Sequence, residues 1–387
     1  MDVVLLSGVI LIISALSCKT TDRLGVSVLV GFIAIGVLIG KWFRFESTMT
    51  VDNICRFALL LIIFNGGFQT DFSKAKPVLK VSSWLSSAGT LLTAGLCGAF
   101  AYYVMRFEFY QAMLLGAVIS STDAASVFSI LHSKNCHLKN NLGPILEIES
   151  GSNDPFAYML TVLFLTLATG GHQNIFMLLT QQIVVQIVLG VASGVIIAKL
   201  GQLLLNKFNL SIDGLYSVLL CGTAFLIYGA AEQFNGNGFL AVYIGGIILG
   251  NSRLVYKGFL SRLFNSFSMI MQILLFIVLG ILCVPSDLKA VAGSGLLFAV
   301  FLTLVARPAV IYALMRPFRR TGKEIALVSW AGFRGASSIV FATIVLYAGL
   351  PYSNHVFSIA FFVCLLSAIV QGWLMVPFAR MLGLTDE

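Results

Sequence analysis

Ser120-Ser121-Thr122-Asp123-Ala124-Ala125-Ser126 interrupts an apolar run that is otherwise long enough to cross a bilayer. Hydroxyl and small side chains make a weak helix there, and a charge at the middle of a membrane helix costs about 2.5–3.5 kcal/mol on insertion scales. A second such stretch, Ala331-Gly332-Phe333-Arg334-Gly335-Ala336-Ser337-Ser338, follows the middle of the chain by about as much as the first precedes it. Aligning Asp123-Ala124-Ala125-Ser126 with Arg334-Gly335-Ala336-Ser337 sets one charge of each sign at matching points. Paired interrupted helices in corresponding places of two halves are the mark of an inverted repeat with its binding site at the crossing. Two faces of small residues packing helix on helix would explain the glycines and serines, but not the opposed charges.

The rest of the chain supplies the setting. Of 387 residues 58% are hydrophobic and 10% charged, with mean hydropathy +0.97, whereas a soluble domain is about a quarter charged. The composition therefore describes an all-α polytopic membrane protein with little room for a soluble domain. No strand-period alternation recurs, which argues against a β-barrel. The segment Val3 to Cys18 lacks a basic lead-in and a clear cleavage site, and reads as a retained helix rather than a signal peptide. The cysteines (18, 55, 97, 136, 221, 283, 364) are scattered singly with no C-x-x-C pair, so neither a zinc site nor a disulfide framework is expected.

Apolar stretches of about 20 residues give thirteen candidate spans: 3–18, 25–40, 54–70, 81–105, 109–131, 142–169, 175–205, 213–232, 237–251, 263–284, 291–315, 324–349 and 355–382. With the seventh as a linker, spans 1–6 and 8–13 form two inverted six-helix repeats, and the interrupted spans are the fifth and twelfth. One set of breaks holds Lys19, Arg23, Lys74, Lys76, Lys80, Lys134, Lys139, Lys199, Lys207, Arg253, Lys257, Arg262, Arg316, Arg319, Arg320, Lys323 and Arg380; the other holds Lys41, Arg44, Arg106 and Lys289, with Arg56 near it. The basic set faces the cytoplasm by the positive-inside rule, which puts the N-terminus outside and the C-terminus inside. The net charge of +8 is thus an orientation signal and not a nucleic-acid footprint.

Few ionisable residues lie well within spans: Asp123, Glu147, Glu149, Asp154, Arg307 and Arg334. Asp123 and Arg334 would each neutralise a half-helix end, since N-termini favour a carboxylate and C-termini a cation. Asp154, in Glu149-Ser150-Gly151-Ser152-Asn153-Asp154-Pro155, is the deepest in its span. Pro155 cannot donate to the Gly151 carbonyl, which is freed near Ser150, one turn from Asp154 on the same face. A carboxylate, a hydroxyl and a loose carbonyl make a hard-oxygen site for an alkali cation or a proton; a salt bridge at a kinked helix is the bland alternative. Glu149 lies about 140° around the helix from Asp154, and Arg307, mid-span, is its natural partner. Asn153 supports the site without adding charge, while Glu147 is either a funnel charge or a solvated helix end. His132, His137, His172 and His355 fall in or beside loops without metal-ligand spacing. Asn65-Gly66-Gly67 and Asn235-Gly236-Asn237-Gly238 read as packing or hinge elements.

Ser121-Thr122-Asp123, Glu149 through Pro155, Gly332-Phe333-Arg334-Gly335-Ala336, and Gly238-Phe239-Leu240-Ala241-Val242 leading to Leu249-Gly250-Asn251 together resemble the NhaP/NHE-type branch of the monovalent cation/proton antiporters, along the whole chain. The wording around Asp154 is closest to the bacterial potassium/proton members. The resemblance implies thirteen helices divided between a dimerisation part and a mobile core with two crossed unwound helices. The bacterial potassium/proton members usually carry a cytoplasmic regulatory domain after the last helix; 1–387 reads as one transmembrane transport domain with no soluble regulatory domain present, that domain being either absent or removed. It implies a homodimer in the bacterial inner membrane, and no cofactor beyond the transported K+ or Na+ and H+. By resemblance Asp154 is the ion-binding aspartate and Asn153 its neighbour. Thr122, Asp123, Ser150 and Glu149 line or support the site, Glu149 pairs with Arg307, and Asp123 pairs with Arg334. The expected activity is antiport and not an enzymatic reaction, with proton and cation competing for Asp154 and a single exchangeable charge giving one-for-one exchange. A cation channel would show flux without counter-ion dependence. An intramembrane aspartyl protease would need Asp123 and Asp154 as a dyad, without the Gly-x-Gly-Asp context of those enzymes.

Overall fold

The computed structural model describes residues 3–24, 27–42, 48–170, 180–208 and 210–386. The described residues are almost all helical. In chain order the main helices, short turns at Phe72–Ala75 and Pro285–Ala290 aside, are α1 (Val3–Leu24), α2 (Val28–Ile39), α3 (Thr48–Gln69), α4 (Leu79–Tyr103), α5 (Phe109–Ile119), α6 (Ala124–Ser133), α7 (Leu142–Ala168), α8 (Gln186–Lys207), α9 (Asp213–Gln233), α10 (Gly238–Gly250), α11 (Lys257–Leu282), α12 (Ala292–Phe318), α13 (Gly322–Trp330), α14 (Ala336–Tyr347) and α15 (Ser353–Met381). The only strands among the described residues, β1 (His137–Leu138) and β2 (Thr385–Asp386), pair antiparallel. His172 and Arg44 lie outside the described residues.

Among the described residues seven helices are long and apolar enough to cross a membrane, with shorter apolar helices between them. Length alone would add α7, whose 27 residues reach about 40 Å at the helical rise. Its Glu147, Glu149 and Asp154 make it less apolar than the rest. The fifth and twelfth sequence spans are each two half-helices, α5 with α6 and α13 with α14. Their breaks cover residues 120–123 and 331–335.

Packing sorts the helices into two groups. One holds α2, α3, α8, α9, α10 and α11, with α1 laid on α2; the other holds α4, α5, α6, α7 and α12 to α15. Glycine brings the first group close: a Cβ on Gly36 of α2 would stand 2.8 Å from the Gly280 Cα on α11, a backbone approach open only to small residues. Outward, α8 presents Ile196, Leu200 and Leu203, each more than half exposed, as expected of a surface solvated by lipid. The groups meet where α3 and α10 touch α7 and where α3 and α11 touch α14. The candidate site lies on that boundary.

Candidate functional site

The two breaks cross each other. The Asp123 amide donates to the Phe333 carbonyl, 2.9 Å away, so each interrupted strand satisfies backbone groups of the other. A helix end leaves amides or carbonyls without intrahelical partners, and the two charges in the breaks answer that need separately. Asp123 is the N-cap of α6, accepting from the Ser126 amide at 3.3 Å and the Ser126 hydroxyl at 2.7 Å. Arg334 Nη1 donates to the carbonyls of Ser120 at 2.8 Å and Ser121 at 2.7 Å, at the C-terminus of α5. The Arg334 amide in turn donates to Ser367 Oγ at 3.0 Å.

Two expectations are corrected here. The Asp123–Arg334 pair implied by resemblance is not among the ion pairs of the described residues, because each charge is taken up by a helix end of the sign it complements. The register of the two breaks also shifts by one. The second half-helices begin at Ala124 and Ala336, so Asp123 matches Gly335, the N-cap of α14, instead of Arg334. Gly335 has no side chain because Asp123 occupies the space: a Cβ there would run into the Asp123 carboxylate. One carboxylate thus faces two helix N-termini, each carrying about half a positive charge.

Asp154 lies beside this crossing on α7, 9% exposed. The Ser121 hydroxyl donates to its Oδ1, and Ser121 Oγ is 2.7 Å from Ser337 Oγ. Asn153 Nδ2 donates to Thr122 Oγ1 at 2.5 Å, and Ser150 Oγ to the Thr122 carbonyl at 2.8 Å. Asp154, Asn153, Ser150, Thr122 and Asp123 are therefore brought together by α7 and the first break. Ser121 and Ser337, which sequence reasoning quoted without giving them a role, are the hydroxyls in contact with the carboxylate or one step from it. Glu149 points elsewhere: its Oε1 is 2.5 Å from Arg307 Nη2, and both side chains are buried.

A cavity of about 480 Å3 reaches Asp154 and is lined also by Thr122, Ser150, Ser337 and Glu147. Asn65, Gln69, Asn265 and Gln272 add neutral polar groups to its wall, so Asn65-Gly66 is part of the route to the carboxylate and not only a packing element. His132 is exposed and lines the same cavity. Asn237 caps α10 and donates through Nδ2 to the Pro155 carbonyl at 2.9 Å, tying the second polar cluster to the proline of the α7 motif. Among the described residues no group of His, Cys, Asp and Glu is placed to hold a metal ion. The oxygens around Asp154 are hard donors suited to an alkali cation.

Comparison with known proteins bears on the family and the fold. The family described as sodium/hydrogen exchanger, transmembrane, matches residues 9–381. The K+/H+ antiporter NhaP of Alkalimonas amylolytica is 32% identical over 98% of this chain and 67% of its own length. The K+/H+ antiporter NhaP2 of Shewanella oneidensis is 33% identical over 97% of this chain and 66% of its own. The chain thus spans about two thirds of the length of these curated relatives. In structure it is similar to the sodium proton antiporter MjNhaP1 of Methanocaldococcus jannaschii, with a TM-score of 0.83 at 20% identity over 97% of both chains.

Proposed function

The chain belongs to the NhaP/NHE-type branch of the sodium/hydrogen exchanger family, whose members are transporters and not enzymes, and from that premise we propose that it exchanges a monovalent cation for H+, potassium ahead of sodium. The observation that carries this reading is the buried carboxylate of Asp154, met by the Ser121 hydroxyl at the crossing of two interrupted helices and reached by one cavity. A proton and an alkali cation both bind the ionised carboxylate, so they compete for one group. Asn153 is committed to Thr122 and carries no charge, which leaves one exchangeable charge per cycle and makes the exchange one-for-one and electroneutral. Potassium is placed first because the relatives at 32–33% identity carry it in their names; sodium exchange on the same fold is the alternative.

In this proposal the protein has thirteen spans in two inverted repeats, sits as a homodimer in a bacterial inner membrane, and keeps its N-terminus outside. The α4–α7 and α12–α15 group is the mobile core, which carries Asp154 between the two faces. The cavity wall includes Gln69, His132 and Asn265, close in sequence to Lys74, Lys134 and Arg262 of the basic set. By the positive-inside rule the site therefore faces the cytoplasm here. Asp154, Asn153, Ser150, Thr122, Asp123, Ser121 and Ser337 bind or support the ion, and Glu149, Arg307 and Arg334 brace the helices around it.

The test is proton flux in proteoliposomes driven by potassium, sodium, lithium or rubidium across a pH series. The unaltered protein should show saturable, counter-ion-dependent exchange with potassium preferred, and Asp154→Asn should abolish it. Retained exchange in Asp154→Asn would remove the proposed mechanism, and flux without a counter-ion would favour a channel.

A further inference from the structure

The cavity ends at Asp154, and on its far side three helices change character within one turn. On α7, Asp154 is followed four residues later by Tyr158. On α14, Ser337 is followed four residues later by Phe341. On α3, running the other way, cavity-lining Leu59 is preceded three residues earlier by Arg56. One helical turn is about 5.4 Å, so this is a single layer.

The layer is built from both helix groups. The Tyr158 ring, 7% exposed, meets Phe239 of α10 edge-on at 5.1 Å and Phe341 at 5.8 Å. Phe239 is also 5.3 Å from Tyr228 of α9. Around these rings sits a charged cluster. Arg56 Nε is 2.7 Å from Asp52 Oδ2, and the Tyr158, Tyr228 and Glu232 side chains lie within electrostatic range of the Arg56 guanidinium. Glu232 Oε1 also accepts from the Gly238 amide at 3.0 Å.

Beyond the layer a second hollow begins, about 250 Å3, lined by Met49, Asp52, Arg56, Leu165, Ile344, Tyr347 and Ala348. The same helices α3, α7 and α14 that wall the Asp154 cavity therefore wall this vestibule further along. Along α7 and α14 the aromatic rings lie between the two spaces: Tyr158 between Asp154 and Leu165, Phe341 between Ser337 and Ile344.

We propose that this layer is the closed gate on the vestibule side of the ion site, with Tyr158, Phe239, Phe341 and Tyr228 as the plug and Arg56 as the latch. The Arg56 guanidinium on α3 attracts the Tyr158 hydroxyl on α7, and so favours one helix group staying against the other. Sliding of the α4–α7 and α12–α15 group would draw Tyr158 and Phe341 away from Arg56 and Phe239 together, opening the vestibule onto Asp154. The inference rests on the alternating-access reading, and its test does not need transport.

The test uses Leu59→Cys as a reporter at the blind end of the cavity, in proteoliposomes of known orientation. A membrane-impermeant thiol reagent is applied to one face at a time, and modification at residue 59 is read by peptide mass. The reporter alone should react from the cavity face only. Adding Arg56→Gln, or separately Tyr158→Ala, should raise its reaction from the vestibule face at least about tenfold by shifting the two-state balance; Tyr158→Phe, which keeps the ring, should raise it less. Unchanged reaction from the vestibule face in both Arg56→Gln and Tyr158→Ala, or equal reaction from both faces with the reporter alone, overturns the gate. If the labelling follows expectation while the unaltered protein exchanges no cation for protons, the antiport reading falls and the gate stands.

Discussion

Arg334 donates from Nη1 to the Ser121 carbonyl, 2.7 Å away, across the crossing of the two interrupted helices. Ser121 in turn donates its hydroxyl to Asp154. The cation that neutralises the end of α5 is therefore joined to the candidate exchanging carboxylate through a single residue. Arg334 is fully enclosed, so removing it strips the Ser120 and Ser121 carbonyls of a donor that no water can easily replace. Arg334→Ala leaves the two buried carbonyls unpaired, at about 1–3 kcal/mol for each unsatisfied group, read as a lowered unfolding midpoint in detergent. Arg334→Lys keeps the charge but reaches one carbonyl at a time, and should recover part of that stability with slower exchange.

Gly335→Ala tests the opposite end of the same crossing. The new methyl would run into the Asp123 carboxylate, and overpacking a tight contact costs about 1–3 kcal/mol. Asp123 can yield only by leaving Ser126, which uncaps α6. The expected outcome is a lower unfolding midpoint with a larger fractional loss of exchange. If Gly335→Ala is as stable and active as the unaltered chain, the close approach of Asp123 to the start of α14 is not needed.

Glu149 separates a brace from a carrier. Its carboxylate and the Arg307 guanidinium are both buried, 2.5 Å apart. Glu149→Gln leaves Arg307 unpaired and should destabilise the fold by about 3–5 kcal/mol. Replacing both, as Glu149→Gln with Arg307→Met, should cost less than the sum of the single changes, a coupling that a double-mutant cycle of unfolding free energies reads directly. The protein that does fold with Glu149→Gln should keep the pH profile of exchange. A shifted profile would place Glu149 on the proton path.

The two breaks were legible because charge inside an apolar run has few explanations, and Asp154 stood out for the same reason. The assignment of Asp123 to a helix start and Arg334 to a helix end also followed from the sign of each charge. The hydroxyls were not legible. Ser121 and Ser337 lie among several serines of the two breaks, and which of them faces Asp154 depends on how two irregular segments cross, which no spacing along either one encodes. Asn65 and Gln69 share the difficulty: their helix had to be placed against α7 before they became a cavity wall. The one-residue shift in the repeat register arose because a matching charge is a weaker marker than the position where helical hydrogen bonding resumes. Tyr158 carried no signal in the sequence, since its meaning comes from α9 and α10, which lie far along the chain.

Competition at a single carboxylate makes a prediction about pH that needs no structural variant. A bound proton excludes the cation, so the half-saturating potassium concentration must rise as the pH falls, by about tenfold for each unit below the carboxylate's own pKa, and level off above it. Reciprocally, raising potassium must move the acid limb of the activity profile to lower pH by the same factor, because the two ligands share one free-energy cycle. Ser121→Ala sharpens the test. It removes the hydroxyl donated to Asp154, and a donor to the ionised form favours that form, so its loss should move both the acid limb and the potassium dependence toward higher pH together. Vesicle flux measured on a grid of pH and potassium concentration reads both quantities at once. If the half-saturating concentration stays constant while activity falls on the acid side, the proton acts at another group, and the exchange at Asp154 is not competitive.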